Sequence, residues 1–582
     1  MKELKYFEIL KKNKEIQGVL SGDKYNVAVI SNMIVVQVKE ILEYSIRLLN
    51  INAFVEIGNF DNIVQESLRF CKNNLCVIFW ELANVIEGLS FKAELFDDDG
   101  KNQIIEKVKM EIDMMFMNLR DTPLVLINKF STLMFNSQNV QTNTYDKICD
   151  EINRYIETKK NPNTVIVDID RVLARISIDR SIDFRNYYSS KSIYTVEFYK
   201  EYVMFINPVI ASVNGKGKKV LVFDCDNTLW SGIIGEDGAN GIDMSSNTAR
   251  GSVFNEIQHI ALSLNKKGVL LGICSKNNED DVDEVLKTHP DMKIRNENLT
   301  VKKVNWDDKT INLSAVSTEL NIGIDSMVFV DDSAYELGFV VRCLPEITTL
   351  QVPMDIYRYP NMLRETASLF YKTSESAEDS IKVRLYQEQS NRYTCKDSFE
   401  CVEDYLKSLS LKMKIFVNDI TIVPRMAQLT QKTNQFNLTT QRYTETDIRN
   451  FIKDENSIIF ALEVEDKFGN YGITGLAIVK LRDGRQNAEI DSFLVSCRII
   501  GRNIEFAFFD YIYRYLLNIG VKVICGIYKK TIKNKQVSDF YDKLCFSHIE
   551  NKDDTEQIYS LNVSAYTPMN VEYIEVLNER KN

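Results

Sequence analysis

Residues 221–238 read LVFDCDNTLWSGIIGEDG, and this stretch decides the fold of the middle of the chain. An apolar run ends there in two carboxylates, Asp224 and Asp226, which are one residue apart. A buried carboxylate is costly unless a cation or hydrogen bonds compensate its charge. The carboxyl end of a strand is also where ligands bind in an open α/β sheet. The stretch therefore predicts a buried strand that delivers two carboxylates to a cation site.

Two more strands of the same region are predicted to end in polar side chains. Ser275 and Lys276 follow the apolar run VLLGIC, and Asp331 and Asp332 follow VFV. Lys309 is predicted to open a helix between these two strands. Mg²⁺ binds carboxylate oxygens, while a hydroxyl and an ammonium group can hold phosphoryl oxygens. Together these side chains predict a site for a phosphoryl group and Mg²⁺.

The spacing of these residues indicates that the site is open. About fifty residues separate Asp224 from Ser275, and a glycine-rich flap and one helix use most of them. The gaps before Lys309 and Asp331 are shorter. No room remains for a cap domain, so we expect a site that can accept a phosphate carried by a large partner.

The composition argues against several classes of function. The chain has 582 residues, enough for roughly three or four domains, and its net charge of −11 argues against general nucleic-acid binding. Its 11 cysteines form no CxxC pair, which favours reduced thiols in the cytoplasm. No apolar run is long enough to span a bilayer. We therefore predict a soluble cytoplasmic protein with no membrane or nucleic-acid partner.

The alternation of strands and helices predicts an α/β chain of several domains. A first α/β domain is predicted over 1–205 and a second over 206–365. A charged helical connector is predicted over 366–410, where the sequence includes ESAEDSIKVRLYQEQS. Successive strands and then a long helix predict an α+β domain over 411–582.

The motifs DCDNT, CSKN and VFVDD, together with Lys309, resemble the four motifs of the haloacid-dehalogenase (HAD) phosphotransferase superfamily. The resemblance implies that Asp224 attacks phosphorus as the nucleophile. It implies that Asp226 protonates the leaving oxygen and then activates water, with its backbone carbonyl facing the metal. The implied Mg²⁺ ligands are Asp224, Asp226, Asp331 and Asp332. The implied phosphate-binding residues are Thr228, Ser275, Lys276 and Lys309.

The predicted third domain contains two polar stretches, QLTQKTNQFNLTT and SCRIIGRN, the second just before a long helix. A basic, glycine-containing turn at a helix N-terminus can bind a pyrophosphate through backbone N–H groups. The R-x-x-G-R pattern resembles the CoA pyrophosphate loop of the GNAT acyltransferases. The first stretch also fits an ordinary capped junction between a loop and a helix. The candidate residues for a carrier or CoA arm are Asn434, Gln435, Arg498, Gly501 and Arg502.

Over about 206–560 these motifs together resemble the FkbH-like family. The resemblance implies an N-terminal SGNH-hydrolase-like domain, an uncapped HAD domain of Rossmann-like fold and a C-terminal GNAT-like domain. It also implies transfer of a glyceryl unit from 1,3-bisphosphoglycerate to the phosphopantetheine thiol of an acyl carrier protein, with Mg²⁺-dependent removal of phosphate. Such enzymes supply polyketide and nonribosomal peptide assembly lines.

Two other hypotheses about the function of the chain stay open. The chain could be a HAD phosphatase for a small metabolite, with the GNAT-like domain acylating a separate substrate, or a docking module without catalysis. An acyl-carrying enzyme thiol could be Cys225, Cys274 or Cys497, although strand alternation points Cys225 away from the aspartates. Residues 1–205 contain no histidine, so Ser31 has no base and we predict that this domain is not hydrolytic.

Overall fold

The computed structural model forms two compact units, Met1–Val213 and Asn214–Asn582. The predicted fold class, an α/β chain of several domains with parallel sheets, is confirmed. The structure describes residues 1, 3–20, 22–372, 383–384, 386–388, 401–433, 435–531, 534–551 and 555–577. Much of the predicted connector over 366–410 therefore lies outside the described residues, as do Asn434 and the Cys497 side chain.

The first unit is built on a parallel sheet in the order β2-β1-β3-β4-β5. Its strands are β1 Tyr25–Ser31, β2 Ala53–Ile57, β3 Leu75–Phe79, β4 Leu124–Asn128 and β5 Thr164–Val167. Strands β3 and β4 are buried along their whole length, as apolar strands are when helices cover both faces of a sheet. The helices are Tyr6–Gln17, Val38–Arg47, Ile63–Arg69, Leu89–Lys92, Asp98–Asn118, Leu133–Asn136, Thr144–Lys159, Ile169–Ile176, Ile178–Ser181, Phe184–Ser190 and Val196–Val213.

The second unit begins with another parallel sheet, in the order β10-β9-β6-β7-β8. Its strands are β6 Val220–Phe223, β7 Leu270–Ser275, β8 Leu299–Val304, β9 Met327–Asp331 and β10 Thr348–Gln351. The first strand along the chain, β6, lies between β9 and β7, so their carboxyl ends meet at one edge of the sheet. The helices of this part are Ile234–Asp237, Ala249–Lys266, Glu279–Thr288, Lys309–Glu319, Ala334–Cys343 and Tyr359–Ala367.

A mixed sheet completes the second unit, in the order β17-β18-β16-β15-β14-β13-β11-β19, with β12 paired to β15. Its strands are β11 Leu411–Val417, β12 Phe436–Asn437, β13 Ser457–Asp466, β14 Gly469–Arg482, β15 Asn487–Val495, β16 Val523–Lys529, β17 Ser547–Asn551, β18 Glu556–Asn562 and β19 Ile574–Leu577. The helices are Val402–Ser408, Val423–Lys432, Glu445–Lys453, Ile504–Asn518 and Phe540–Lys543. Apolar side chains cover both faces of this sheet and form two cores.

Within the part of the chain that the structure describes, no helix is both long and apolar enough to cross a bilayer.

Candidate active site

The second sheet brings four of the predicted residues together at its carboxyl edge. Asp224 follows β6, Ser275 ends β7 and Asp331 ends β9, and all three are buried. Lys309 opens the helix after β8 and is also buried. Its Nζ lies 3.0 Å from Asp224 Oδ1 and 2.6 Å from Asp331 Oδ2. The buried ammonium group therefore bridges the carboxylates of two neighbouring strands.

Burial and mutual charge set the protonation of this cluster. Burial lowers the pKa of Lys309, but the Asp224 and Asp331 carboxylates outweigh it, so its pKa is raised and the side chain stays charged. Burial also raises the pKa of Asp224, and the Lys309 charge opposes that effect. When both carboxylates are ionised, the single ammonium group leaves a net negative charge that a cation can compensate.

A metal ion fits the carboxylates at this edge. Oxygen atoms of Asp224, Asp331 and the partly exposed Asp332 all lie within 4.8 Å of one another. Hard cations bind such carboxylate oxygens. The Asp226 carboxylate is not a member of this group. The predicted metal contact of Asp226 is through its backbone carbonyl, so the side chain stays available for proton transfer.

The Asp226 carboxylate is held by three hydrogen-bond donors. Its Oδ1 accepts from Trp230 Nε1 at 2.9 Å and from the Ile234 backbone N–H at 3.0 Å. Its Oδ2 accepts from Asn277 Nδ2 at 3.0 Å. Trp230 and Asn277 were not among the predicted site residues. The only signal was their presence inside the quoted motifs, since local sequence does not show which side chains meet.

A tight loop after β6 sets the position of the Thr228 backbone. Asn227 has a left-handed backbone with φ of 50°, and its Oδ1 accepts from the Gly232 N–H at 3.1 Å. The Thr228 N–H donates to the Cys225 carbonyl at 3.1 Å, and Tyr359 Oη donates to the Thr228 carbonyl at 3.2 Å. Thr228 is fully buried, and its hydroxyl has no partner among the described residues. This geometry fits a loop-shaping role, while its phosphate contact stays a prediction.

The Lys276 ammonium group lies near carboxylates outside the cluster around Lys309. Its Nζ lies 2.8 Å from Glu336 Oε1 and 3.8 Å from Asp308 Oδ1. Its hydrogen bond to Glu336 is the largest of the effects that raise its pKa. A phosphate contact by Lys276 therefore requires this pair to open, and its assignment stays a prediction.

The structure places Cys225 in surroundings that disfavour the predicted role as a catalytic thiol. The side chain is fully buried in an apolar core with Phe223, Leu229 and Trp230. Burial, followed by the charge of Asp224, raises the pKa of Cys225 well above its usual value. A thiol becomes a good nucleophile only as a thiolate, so this environment disfavours acyl transfer to Cys225. Burial likewise raises the pKa of Cys274 to about 12.

The structure places the predicted arm-binding residues in different surroundings. Gly501 has a left-handed φ of 82° just before the helix Ile504–Asn518, and Arg498 Nε lies 3.4 Å from Ser496 Oγ. Arg502 is only 5% exposed. The arm-binding roles of Arg498 and Gly501 stay predictions. Gln435 is half-buried, and its Oε1 has no partner among the described residues.

The Arg502 guanidinium is engaged inside the protein, and its arm-binding role stays a prediction. It contacts Tyr471 Oη and lies 3.9 Å from Asp466 Oδ2. Tyr471 Oη in turn donates to Asp466 Oδ2 at 2.5 Å. Both Asp466 and Arg502 are buried, so this contact would be costly to break. A pyrophosphate contact by Arg502 would require the contact to open.

In the first unit, Ser31 ends β1 and is buried. Its Oγ accepts from the Met33 backbone N–H at 2.9 Å. The absence of histidine from residues 1–205 is a fact of the sequence, and the non-hydrolytic character of this part stays a prediction.

No protein-family model and no curated protein matches this chain. Among solved structures, it is similar to the N-terminal part of the protein BF1531 from Bacteroides fragilis, described as containing a phosphatase domain complexed with Mg. The TM-score is 0.55 at 23% identity, over 64% of this chain and 100% of that one. At this identity the likeness shows a shared fold and leaves the activity open.

Smaller parts of the chain are similar to acetyltransferases. One is the ribosomal-protein-S18-alanine N-acetyltransferase from Escherichia coli, with a TM-score of 0.21, 16% identity, and coverage of 26% of this chain and 94% of that one. Another is an N-acetyltransferase from Staphylococcus aureus Mu50, with a TM-score of 0.20, 14% identity, and coverage of 26% and 98%. At these TM-scores the two similarities carry no argument, so the GNAT-like character of the third part stays a prediction.

Proposed function

We propose that this chain is an enzyme that removes phosphate at the carboxyl edge of its second sheet, by HAD-type chemistry. The observation that carries the proposal is the Lys309 ammonium group held between Asp224 and Asp331. A binding module does not require a nucleophile, a buried cation and a separately held carboxylate at one strand edge. The motifs of the sequence and the shared fold with a phosphatase-containing structure support the same proposal.

We propose Mg²⁺ as the cofactor. Asp224, Asp331, Asp332 and the backbone carbonyl of Asp226 would hold it, because the three carboxylates approach one another closely enough. The similar structure from Bacteroides fragilis is described as complexed with Mg. When bound, Mg²⁺ would neutralise negative charge on the phosphoryl oxygens.

The residues of the chain divide the reaction into two steps. An Asp224 oxygen attacks phosphorus, the bond from phosphorus to the leaving oxygen breaks, and Asp226 gives that oxygen a proton. In the second step Asp226 takes a proton from water, the water oxygen attacks phosphorus, and the bond to Asp224 breaks. The Ser275 hydroxyl and the Lys309 ammonium group hold phosphoryl oxygens throughout.

At finer detail, we propose that the phosphate belongs to a glyceryl unit taken from 1,3-bisphosphoglycerate. The carboxyl carbon of this acyl phosphate would be attacked by the thiol of an acyl carrier protein, which releases one phosphate. The second phosphate would be removed at Asp224. This proposal rests on the sequence resemblance to the FkbH-like family. A free carrier thiol requires a reducing compartment, and we propose the cytoplasm.

The open form of the site supports a large substrate. Between β6 and β7, the described chain contains only the short helix Ile234–Asp237 and the helix Ala249–Lys266. Neither is the size of a domain, so a phosphate on a protein-tethered arm could reach Asp224.

A second candidate is a phosphatase for a small metabolite, with the third part acylating a separate substrate. The carboxyl-edge cluster of Asp224, Ser275, Lys309 and Asp331 supports it equally, because this cluster lies in the second sheet and needs no residue of the third part. The phosphatase site does not depend on Arg502.

One experiment separates these candidates. The full chain is incubated with Mg²⁺, 1,3-bisphosphoglycerate and holo-carrier proteins encoded near its gene, and the carriers are weighed by mass spectrometry. Glyceryl transfer adds one glyceryl mass to the carrier. Release of phosphate without any mass change on a carrier would favour the small-metabolite phosphatase. No phosphate release from any ester, with Asp224→Asn equal to the wild type, would overturn both.

A further inference from the structure

Asn277 contacts two predicted site residues, Asp226 and Ser275, although the motifs assign it no role. It follows β7 by two residues and is 5% exposed. Its Nδ2 lies 3.0 Å from Asp226 Oδ2 and 3.1 Å from Ser275 Oγ. An amide nitrogen carries two hydrogens, so both contacts can be hydrogen bonds at the same time. A single side chain therefore holds the predicted acid and the predicted phosphate-binding hydroxyl.

The contact with Ser275 extends to the nucleophile. The Ser275 hydroxyl accepts from Asn277, so its own hydrogen is free to point elsewhere. A side-chain hydrogen bond with Ser275 is one of the influences that lower the pKa of Asp224. Asn277 thus connects to Asp224 through Ser275 and to Asp226 directly.

The contact with Asp226 holds its Oδ2, for which the described residues offer no other donor. Trp230 and the Ile234 N–H both bind Oδ1. The torsion that turns a carboxylate is soft, so Oδ2 needs its own partner to be held. Asn277 donates the hydrogen bond that holds Oδ2.

We propose that Asn277 is the positioning residue that sets the acid Asp226 relative to the nucleophile Asp224. The inference rests on the proposed phosphatase function. It predicts that Asn277 matters most for substrates whose leaving oxygen needs a proton. An alkyl phosphate needs Asp226 to protonate its alkoxide. A p-nitrophenyl phosphate releases a stabilised phenolate without that proton.

The test compares kcat/KM of the wild type and Asn277→Ala for glycerol 3-phosphate and p-nitrophenyl phosphate, with Mg²⁺. This parameter reports the steps up to release of the first product, before water attacks. We expect a loss of about 10²-fold or more for the alkyl ester and under about tenfold for the aryl ester. The matched control is Asn278→Ala, since the exposed neighbour Asn278 binds Trp306 and Asp281. It should leave both rates within about twofold of the wild type.

Each outcome decides the inference. Equal losses on both esters in Asn277→Ala, or the same selective loss in Asn278→Ala, overturn the positioning role. If circular dichroism shows that Asn277→Ala is unfolded, Asn277→Gln replaces it. That variant keeps the donor but moves it by one methylene, and the same selectivity is expected. If the wild type is inactive on both esters, the proposed function itself is wrong. That result differs from an active wild type whose Asn277→Ala variant shows no selective loss, which contradicts only the positioning role.

Discussion

The Lys309 ammonium nitrogen lies 2.6 Å from Asp331 Oδ2, and both side chains are almost completely buried. Asp224 is the second carboxylate on the same nitrogen. A buried ion pair contributes little net stability, but breaking it leaves a charge without a partner. The arrangement therefore makes the site costly to disturb, and it leaves one negative charge for a cation when both carboxylates are ionised.

Replacing Lys309 should destabilise the second unit. Lys309→Met is expected to lower the free energy of unfolding by about 3–5 kcal/mol, because two buried carboxylates lose their cation. Mg²⁺ should restore part of the loss. Urea unfolding with and without Mg²⁺ measures both effects. Lys276→Met is the matched control, since its partly exposed pair with Glu336 should be worth less than about 1 kcal/mol. Equal losses in the two variants would contradict the central role of Lys309.

Removing Mg²⁺ should abolish phosphate release and lower stability together. At a free Mg²⁺ concentration of a hundred times Kd, binding adds about 2.7 kcal/mol to the free energy of unfolding. Asp332→Asn removes one of the three carboxylates and should shift the Mg²⁺ concentration needed for half-maximal activity upwards. Titration of activity with Mg²⁺ after treatment with a chelator measures the shift. The exposed Asp307 supplies the control Asp307→Asn, and a shift of the same size there would argue against the proposed ligand set.

The first unit should become less stable as pH rises. Burial raises the pKa of Glu81 from 4.5 to about 8, and the hydrogen bond from Tyr194 only partly opposes this. The folded state then holds a proton that the unfolded state has lost. This contribution to stability is complete below pH 4.5 and disappears as pH approaches about 8.

The slope of this pH dependence can be measured on the full chain. Hydrogen exchange of the β3 amides should report a loss of about 1 kcal/mol per pH unit between these two values. Glu81→Gln keeps the shape but cannot ionise, so its slope should be flatter. Parallel slopes in the two proteins would show that another group is responsible.

Arg502 should behave as a structural residue. Arg502→Ala removes the buried guanidinium that contacts Tyr471 and lies beside the buried Asp466, and it should cost about 3–5 kcal/mol of unfolding free energy. Arg498→Ala, in the same loop, should cost less than about 1 kcal/mol. Chemical denaturation compares them. Unchanged stability in Arg502→Ala, with weakened CoA binding, would return Arg502 to the predicted arm site.

Much of the candidate site could be predicted because its residues stand at strand ends. Asp224, Ser275 and Asp331 each follow an apolar run, and parallel strands bring their carboxyl ends to one edge. Alternation along the strand also predicted that Cys225 points away from the aspartates, and its side chain lies in the apolar core. These inferences need only local patterns and the geometry of a parallel sheet.

The partners of the site residues could not be predicted in the same way. Asn277 and Asp226 are 51 residues apart, and Arg502 lies 36 residues from Asp466. Whether an arginine binds a ligand or an internal carboxylate depends on the sheet around it. The residue types alone fit both outcomes.

By itself, the sequence determined the class of fold and the set of chemical groups at the second sheet, because periodicity and strand ends are local properties of the chain. Tertiary structure decided which groups are engaged. It placed Arg502 beside Asp466 and held Asp226 through Asn277. These outcomes depend on strand order and on contacts between distant segments, where buried polar groups must find partners from elsewhere in the chain.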